Sequence, residues 1–180
     1  MSDHCISIVP QKSSYPDKET KAKEILDWLV SFDIVKPNLS DCNLGSEYGH
    51  AISDGAKNIS AELEFLPFDL RANGLEIITE RQMFNTMQNG LEELICPNCK
   101  NNIANEEWDF FDEWSGGESD NLTCPACNVS SEIHQLKFTP EWGFSDLGFT
   151  FWNWPAFSDS FLEDFKQKLG CEINVVHSWI

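Results

Sequence analysis

Two Cys-x-x-Cys motifs in the second half of the chain constrain its fold most strongly. Cys96 and Cys99 form the first motif, and Cys124 and Cys127 form the second. Each motif can present two thiolates from one tight turn, and four thiolates together complete the tetrahedral coordination of a zinc ion. Proline follows the first cysteine in both motifs, and its fixed φ of about −65° favours such a turn. The pattern therefore predicts a zinc site that joins two distant parts of the chain.

Disulfides between these cysteines, or another metal such as iron, are the alternative interpretations. Disulfides persist in oxidising compartments and are rare in the cytosol. The N-terminal residues do not resemble a secretory leader, and no apolar run approaches the about 18 residues that a membrane-spanning helix needs. We therefore expect a cytoplasmic protein without a membrane anchor, and we favour zinc. Because four thiolates leave no open position for water, the zinc is expected to be structural rather than catalytic.

The two motifs, Cys96-Pro-Asn-Cys99 and Cys124-Pro-Ala-Cys127, resemble the rubredoxin-like knuckles of the zinc-ribbon superfamily. The resemblance covers about residues 94–138 and implies a structural Zn²⁺ held by the four cysteines. It does not specify an activity. The remainder of the chain resembles small uncharacterised bacterial proteins, some of them labelled as transporter ATPases. The chain lacks the Gly-x-x-x-x-Gly-Lys-Ser/Thr loop that an ATPase of that kind requires, which argues against the label.

Hydrophobic patterns in the first half predict a strand, a helix and further strands. β-Branched residues predict a strand over residues 4–9. The first helix is predicted to begin with Ser14 as its N-cap and to end before Pro37. The Asn73-Gly74 dipeptide predicts a hairpin, and further strands are predicted over residues 47–53, 75–80 and 91–95. The apolar face of the helix comprises Ala22, Ile25, Leu26, Leu29 and Phe32.

The second half is predicted to contain a second helix between strands. Ser158 is placed to cap this helix at its N-terminus, and Gly170 fits the position just after its C-terminus. A strand over residues 146–155 is apolar on both faces, so it is either central in a covered sheet or it exposes tryptophans to a partner. Strands over residues 132–138 and 171–177 complete the prediction.

The order of these elements predicts an α+β fold. The arrangement is either a split β-α-β (ferredoxin-like) sheet or an irregular antiparallel or mixed sheet, with two helices and an inserted zinc ribbon. We assign residues 1–93 and 139–180 to one α+β domain. Residues 94–138 form the inserted zinc ribbon.

The balance of charge limits the kinds of partner. The chain has 30 acidic and 12 basic residues and a formal net charge of −18. Nucleic-acid binding needs clustered Lys and Arg that displace phosphate counterions, and the predicted ribbon contains only Lys100 and Lys137. A strongly negative surface attracts basic proteins instead. We therefore predict a basic protein partner and no nucleic acid, although the acidity could also serve solubility alone.

The segment between the two motifs combines acidic and aromatic residues. On a helix or series of turns, Trp108, Asp109, Asp112, Glu113 and Trp114 would form a compact charged and aromatic surface. The simplest interpretation is a solvated acidic face above an aromatic anchor. The alternative is a surface that docks a partner. Under that alternative, the predicted partner-binding residues are Trp108, Asp109, Asp112, Glu113, Trp114, Trp152 and Trp154.

The chain contains no Gly-x-x-x-x-Gly-Lys-Ser/Thr loop, no Gly-x-Gly-x-x-Gly, no His-Glu-x-x-His and no Gly-x-Ser-x-Gly motif. The leading hypothesis is a non-enzymatic interaction protein that neutralises a basic partner. In character it is similar to acidic immunity proteins, which protect bacteria from toxic nucleases. The alternative is an enzyme or small-ligand binder that uses the aromatic residues 138–157 as a pocket, with His134, His177 or a carboxylate as a polar group. A nucleic-acid-associated ribbon is the third hypothesis.

Overall fold

The computed structural model describes residues 2–180 and shows the predicted mixed α+β fold with irregular antiparallel sheets. Within these residues there are twelve β-strands and three α-helices. The helices are α1 (Lys18–Ser31), α2 (Asp112–Ser115) and α3 (Asp159–Leu169). The strands are β1 (His4–Pro10), β2 (Val35–Ser40), β3 (Gly49–Ile52), β4 (Leu75–Ile78), β5 (Gln82–Phe84), β6 (Glu93–Ile95), β7 (Asn121–Thr123), β8 (Ser130–Glu132), β9 (Lys137–Thr139), β10 (Gly143–Ser145), β11 (Gly148–Trp152) and β12 (Ile173–Trp179).

The central sheet has six strands in the order β12-β1-β11-β4-β3-β2, and its paired strands are antiparallel. Because β11 and β12 both pair antiparallel with β1, they run parallel to each other on either side of it. Helix α3 connects them, so β11-α3-β12 is a split β-α-β unit. The strands β2 and β3 extend the sheet beyond β4.

Helices α1 and α3 cover the same face of the central sheet. Trp28 of α1 stacks on Phe161 of α3 with ring centroids 5.7 Å apart, and Phe165 packs edge-on against Phe149 of β11. The caps predicted for α3 are present: the Ser158 hydroxyl accepts a hydrogen bond from the Phe161 backbone N–H, and Gly170 has a φ of 69°. The core between the helices and the sheet therefore includes Phe161 and Phe165 of α3.

Strand β11 is buried on both faces. Phe149 and Phe151 point toward the helices and join the main hydrophobic core, while Thr150 and Trp152 point to the opposite face. Of the two interpretations of its apolar pattern, the structure supports a central strand in a covered sheet.

A second hydrophobic core lies around the cysteine motifs. Its side chains come from the segment between the motifs, from the strands that flank it and from β10. Three small sheets surround it, formed by β5 with β10, β6 with β9 and β7 with β8. The division of the chain into an α+β domain and an inserted ribbon stays a prediction. Its buried side chains include Leu94, Phe111, Trp114, Leu122, Ile133, Trp142 and Phe144.

Several predicted elements differ from the structure. Helix α1 begins at Lys18, after Asp17 with a φ of 53°, so Ser14 is not its N-cap. Phe32 lies beyond the helix and is 64% exposed. Asn73-Gly74 does not form a hairpin, because both backbone N–H groups donate to the carbonyl oxygen of Cys42 and β3 ends well before them.

Two further differences concern strands. The predicted strand over residues 132–138 is interrupted by a 3-10 helix at Ile133–Gln135. Strand β2 was not predicted, because it contains Pro37 and its residues after Val35 are exposed. A strand of that composition is tolerated at a sheet edge, where the missing N–H of proline faces solvent.

Arg81 connects the loop after β4 to the second core. Its guanidinium lies 4.1 Å from the ring centroid of Trp114, and its Nε donates to the Trp114 carbonyl oxygen at 2.8 Å. The guanidinium also donates to the Ser119 carbonyl oxygen and pairs with Asp120 at 3.1 Å. Because the stacking and the hydrogen bonds form on a largely buried side chain, they contribute more than an exposed ion pair would.

We expect the Arg81→Ala variant to lower the free energy of unfolding by about 2 kcal/mol, since it removes the stacking on Trp114 and the hydrogen bonds to the carbonyl oxygens of Trp114 and Ser119. Urea denaturation followed by tryptophan fluorescence measures this change. Arg71→Ala is the matched control, because Arg71 pairs with Asp41 on the exposed surface and its loss should change the free energy of unfolding much less. Equal effects of the two substitutions would show that Arg81 does not stabilise the second core.

Candidate metal centre

The two Cys-x-x-Cys motifs fold into equivalent tight turns. Strand β6 leads into the first turn and β7 into the second. In each turn, the backbone N–H of the residue after the second cysteine donates to the carbonyl oxygen of the first cysteine, at 3.0 Å for Lys100 and 2.8 Å for Asn128. Both residues adopt the left-handed conformation, with φ of 63° and 59°. The chain reverses direction at this residue, which directs both sulfurs of a motif to the same side.

The four sulfur atoms lie close enough together to bind one metal ion. All four Sγ atoms lie within 4.8 Å of one another. The Cys96–Cys127 and Cys99–Cys124 sulfur pairs, which each join one motif to the other, are both 3.8 Å apart. A tetrahedral site with metal–sulfur distances of about 2.3 Å has sulfur–sulfur edges of about 3.8 Å. The geometry therefore fits a four-thiolate metal site, which is the ligand set that the sequence predicted.

The same distances argue against disulfides, whose sulfur atoms would be about 2.05 Å apart. Every cysteine within residues 2–180 is free in the structure. Those residues contain one cluster of His, Cys, Asp or Glu side chains with metal-binding geometry, and it is this tetrad.

Hydrogen bonds to sulfur favour the ionised form of one ligand. The backbone N–H of Val129 and the side-chain amide of Asn98 stabilise the Cys127 thiolate, and the pKa of this group is lowered from 9.0 to about 6. Burial has the opposite effect on Cys124, where it raises the pKa to about 11. A bound cation would favour the thiolate form of both groups, because its positive charge opposes the effect of burial on Cys124.

The metal site is continuous with the second core. Cys96 and Cys124 are fully buried among its side chains, and Cys99 and Cys127 are partly exposed at its edge. A metal bound here would connect β6, β7 and the segment between the motifs. The arrangement supports a structural role, because all four ligands are thiolates and none of the positions is left for a substrate.

The acidic segment between the motifs forms a surface beside this core. A 3-10 helix, Trp108–Phe111, continues directly into α2. We call the exposed side chains of residues 106–112 the spacer surface. Among residues 2–180, no basic side chain forms an ion pair with any carboxylate of this surface. The spacer surface comprises Glu106, Glu107, Trp108, Asp109 and Asp112.

Glu113 differs from the other predicted partner-binding carboxylates. It is partly buried, and its carboxylate accepts hydrogen bonds from the hydroxyl groups of Ser119 and Thr123. These contacts connect α2 to β7 and to the turn before it. In the structure, Glu113 therefore supports the segment between the motifs more than it contributes to the exposed acidic surface.

Three of the four tryptophans predicted to bind a partner lie in the cores. Trp114, Trp152 and Trp154 are buried, and each indole N–H donates a hydrogen bond within the chain. The acceptors are the Ser13 hydroxyl for Trp114, the Glu76 carboxylate for Trp152 and the Asn73 carbonyl oxygen for Trp154. The sequence pattern showed that these positions are apolar, but it could not show that both faces of β11 are covered. Trp108 is the exception and is 43% exposed.

The aromatic residues 138–157 contribute to a cavity of about 370 Å³ lined by Phe138, Trp142 and Phe144 together with His134. Both ring nitrogens of His134 are engaged, Nδ1 with the Glu132 carboxylate at 2.7 Å and Nε2 with the Phe144 carbonyl oxygen at 2.9 Å. In this conformation neither nitrogen is free to act on a ligand. His177, the other histidine predicted as a polar group, does not line this cavity.

Comparison with known proteins identified no relative of this chain. No protein-family model, curated protein or solved structure matches the chain. The likeness to a zinc ribbon therefore rests on the geometry of the four cysteines. None of the helices within residues 2–180 combines the length and the apolar character that crossing a bilayer would require.

Proposed function

We propose that the cysteine tetrad holds a structural Zn²⁺ and that the protein is a non-enzymatic interaction domain for a basic protein. Zinc is the metal that four thiolates in tetrahedral arrangement most commonly select, and iron is the other metal that such a site accepts. The sulfur–sulfur distances of 3.8 Å support this assignment. In this proposal, the zinc shapes the second core and the spacer surface contacts the partner.

The spacer surface is the observation that carries the proposed partner. Its carboxylates are exposed and unpaired within residues 2–180, although ion pairs occur at several other places on the surface. Closely spaced like charges repel one another, and a basic partner would relieve that repulsion. The formal net charge of −18 adds a long-range attraction that accelerates association with positive proteins.

Trp108 provides an aromatic group within this acidic surface. Its indole N–H donates to the Ala104 carbonyl oxygen at 2.8 Å, and its ring packs edge-on against Trp142 and Phe111. These contacts fix the ring while leaving part of it exposed. A pre-oriented tryptophan surrounded by charge is typical of a binding hot spot, because little side-chain entropy is lost on association.

The class of partner follows from the charge. Toxic nucleases bind polyanions and therefore have positively charged clefts, and acidic immunity proteins protect bacteria from such nucleases. We propose that this protein acts in the same way on a basic toxin. The proposal requires no catalytic residue, which agrees with a metal site whose ligands are all thiolates.

A neutralised spacer surface tests the proposal. We expect the combined variant Glu106→Gln, Glu107→Gln, Asp109→Asn, Asp112→Asn to capture about tenfold less of the basic partner from a lysate of the source cell at low salt, because it removes the charges that attract it. Capture by the unmodified protein should be stoichiometric and should fall as salt rises. Zinc content measured on the same samples should not change.

The control variant removes the same number and type of charges elsewhere. Glu62→Gln, Glu64→Gln, Asp69→Asn and Asp164→Asn all change exposed residues outside the spacer surface. This variant should retain more of the captured partner than the spacer variant does. Equal loss in both would show that only net charge matters, and unchanged capture by the spacer variant would remove the spacer surface from the proposal.

A second candidate function is the binding of a small ligand in the cavity beside Phe138, Trp142 and Phe144. The observation that favours it is the combination of a 370 Å³ cavity with an aromatic wall, since this volume lies within the range of ligand sites. A sample that contains stoichiometric zinc but captures no basic protein would favour this alternative over the leading proposal.

A further inference from the structure

A second cavity lies on the face of the central sheet opposite α1 and α3. Its volume is about 320 Å³. Its floor is formed by the side chains of β1, β4 and β11 that point away from the helices, including Ser7, Glu76 and Thr150. One wall is β5, which contributes Met83 and Phe84. The cavity is separate from the cysteine tetrad and from the spacer surface, since no residue of either lines it.

Glu76 places a carboxylate in this cavity without a cation to neutralise it. Its Oε2 accepts a hydrogen bond from the Trp152 indole N–H at 3.0 Å. Within residues 2–180, no donor is paired with Oε1 of Glu76, and the residues that line the cavity include no Lys, Arg or His. A carboxylate in a partly enclosed site interacts more strongly with a counter-ion than one in bulk water does.

The other polar side chains of the cavity are neutral. The hydroxyl groups of Ser7 and Thr150 hydrogen-bond to each other at 2.8 Å, and both residues are buried. Burial raises the pKa of the Cys5 thiol to about 11, so the thiol carries no charge at neutral pH. Glu76 is therefore the one charged side chain among the lining residues, and the rest of the wall combines neutral polar side chains with apolar ones.

We propose that this cavity binds a small organic cation, an alkylammonium or guanidinium group with a short apolar body, with Glu76 as its counter-ion. The free Oε1 can accept the charge-assisted hydrogen bond of the cation. Trp152, Phe84 and Met83 can cover the apolar part, and aromatic rings favour a nearby positive charge. The volume lies at the small end of the range for ligand sites, which limits the ligand to a few carbon atoms.

The position of Gly45 restricts the same carboxylate. A methyl group at Gly45 would overlap the Glu76 carboxylate, so the loop between β2 and β3 passes directly over it. Gly45→Ala should therefore displace the carboxylate without changing the charge of the protein. This variant distinguishes the placement of Glu76 from the mere presence of its charge.

The test uses n-butylammonium chloride as the probe and the Trp152 indole N–H resonance as the reporter, in ¹H–¹⁵N spectra of the full chain. We expect a saturable shift of this resonance with n-butylammonium and none with n-pentanol or with sodium chloride at equal ionic strength. Glu76→Gln should weaken the affinity about tenfold or more, because it replaces a charge-assisted hydrogen bond with a neutral one while the indole N–H keeps an acceptor. Gly45→Ala should also weaken it.

Glu19→Gln is the control, because it removes the same charge from the exposed side of α1, on the other face of the sheet. Its affinity for the probe should equal that of the unmodified protein. Two sources of such a cation are a free amine and a lysine side chain of a protein. Tighter binding of Nα-acetyl-lysine amide, which keeps the side-chain ammonium group, than of n-butylammonium would identify the protein source. An absent or non-saturable shift, or equal binding by Glu76→Gln, would overturn the inference whether or not the spacer surface binds a partner.

Discussion

We expect the Cys124→Ser variant to lose stoichiometric metal binding and the order of the second core. The unmodified protein should contain about one zinc ion per chain, and the variant close to none, because a hydroxyl group is a poor replacement for a buried thiolate ligand. Binding of zinc to structural thiolate sites contributes on the order of 10 kcal/mol to folding. Elemental analysis gives the zinc content, and near-ultraviolet circular dichroism reports the order of the buried tryptophans.

The expected loss of order follows from the size of the elements around the metal. The strands β6, β7, β8 and β9 each contain three residues, and each of their two sheets contains a single strand pair. Two-stranded ladders of this length are not stable by themselves in water. Connecting them through one ion restricts the unfolded chain and compensates for the small core, as metals do in small domains.

Cys171→Ser is the matched control for Cys124→Ser. Cys171 lies outside the tetrad, just before β12, so its replacement should leave the zinc content at about one ion per chain. If Cys124→Ser proves too unstable to purify, chelation of the metal from the unmodified protein provides the same comparison. Full zinc content in Cys124→Ser would exclude the tetrad as the metal site. An iron–thiolate absorption spectrum in the purified protein would show that the tetrad binds iron rather than zinc.

Local patterns in the sequence predicted the elements whose determinants are close together in the chain. The C-terminal helix is an example, because Ser158 and Gly170 specify its two ends through their own backbone and side-chain chemistry. The four cysteines are another, since spacing within each motif determines the turn geometry. The central position of β11 was one of two open interpretations, because an apolar strand does not reveal what covers each face.

Other features depend on contacts between distant residues and could not be predicted locally. Helix α1 begins later than expected because the Tyr15 backbone N–H donates to the distant Asp146 carboxylate at 2.7 Å, which holds this segment outside the helix. Asn73-Gly74 fails to form a hairpin because Cys42 supplies the acceptor for both N–H groups. The Glu76 cavity was likewise not predicted, since its lining comes from distant strands that only the folded sheet brings together.

Among the substitutions that leave the cysteine tetrad intact, Trp114→Ala should have the largest effect on the stability of the second core. Trp114 is 0% exposed, its ring packs edge-on against Phe144 at 5.2 Å, and its indole N–H donates to the buried Ser13 hydroxyl at 2.8 Å. Replacing a buried tryptophan with alanine costs about 3–5 kcal/mol through lost contacts and the cavity that remains. The Arg81 guanidinium would also lose the ring on which it stacks.

Comparison with Trp108→Ala distinguishes a core tryptophan from a partner-binding one. Trp108 is 43% exposed, so its replacement should cost only about 1–2 kcal/mol of unfolding free energy, measured by urea denaturation. Because its exposed part belongs to the spacer surface, this variant should instead reduce capture of the basic partner. Trp114→Ala should reduce capture only under conditions in which the second core is unfolded. Lower capture by a folded Trp114→Ala variant, together with full capture by Trp108→Ala, would reverse the roles that burial assigns to these two side chains.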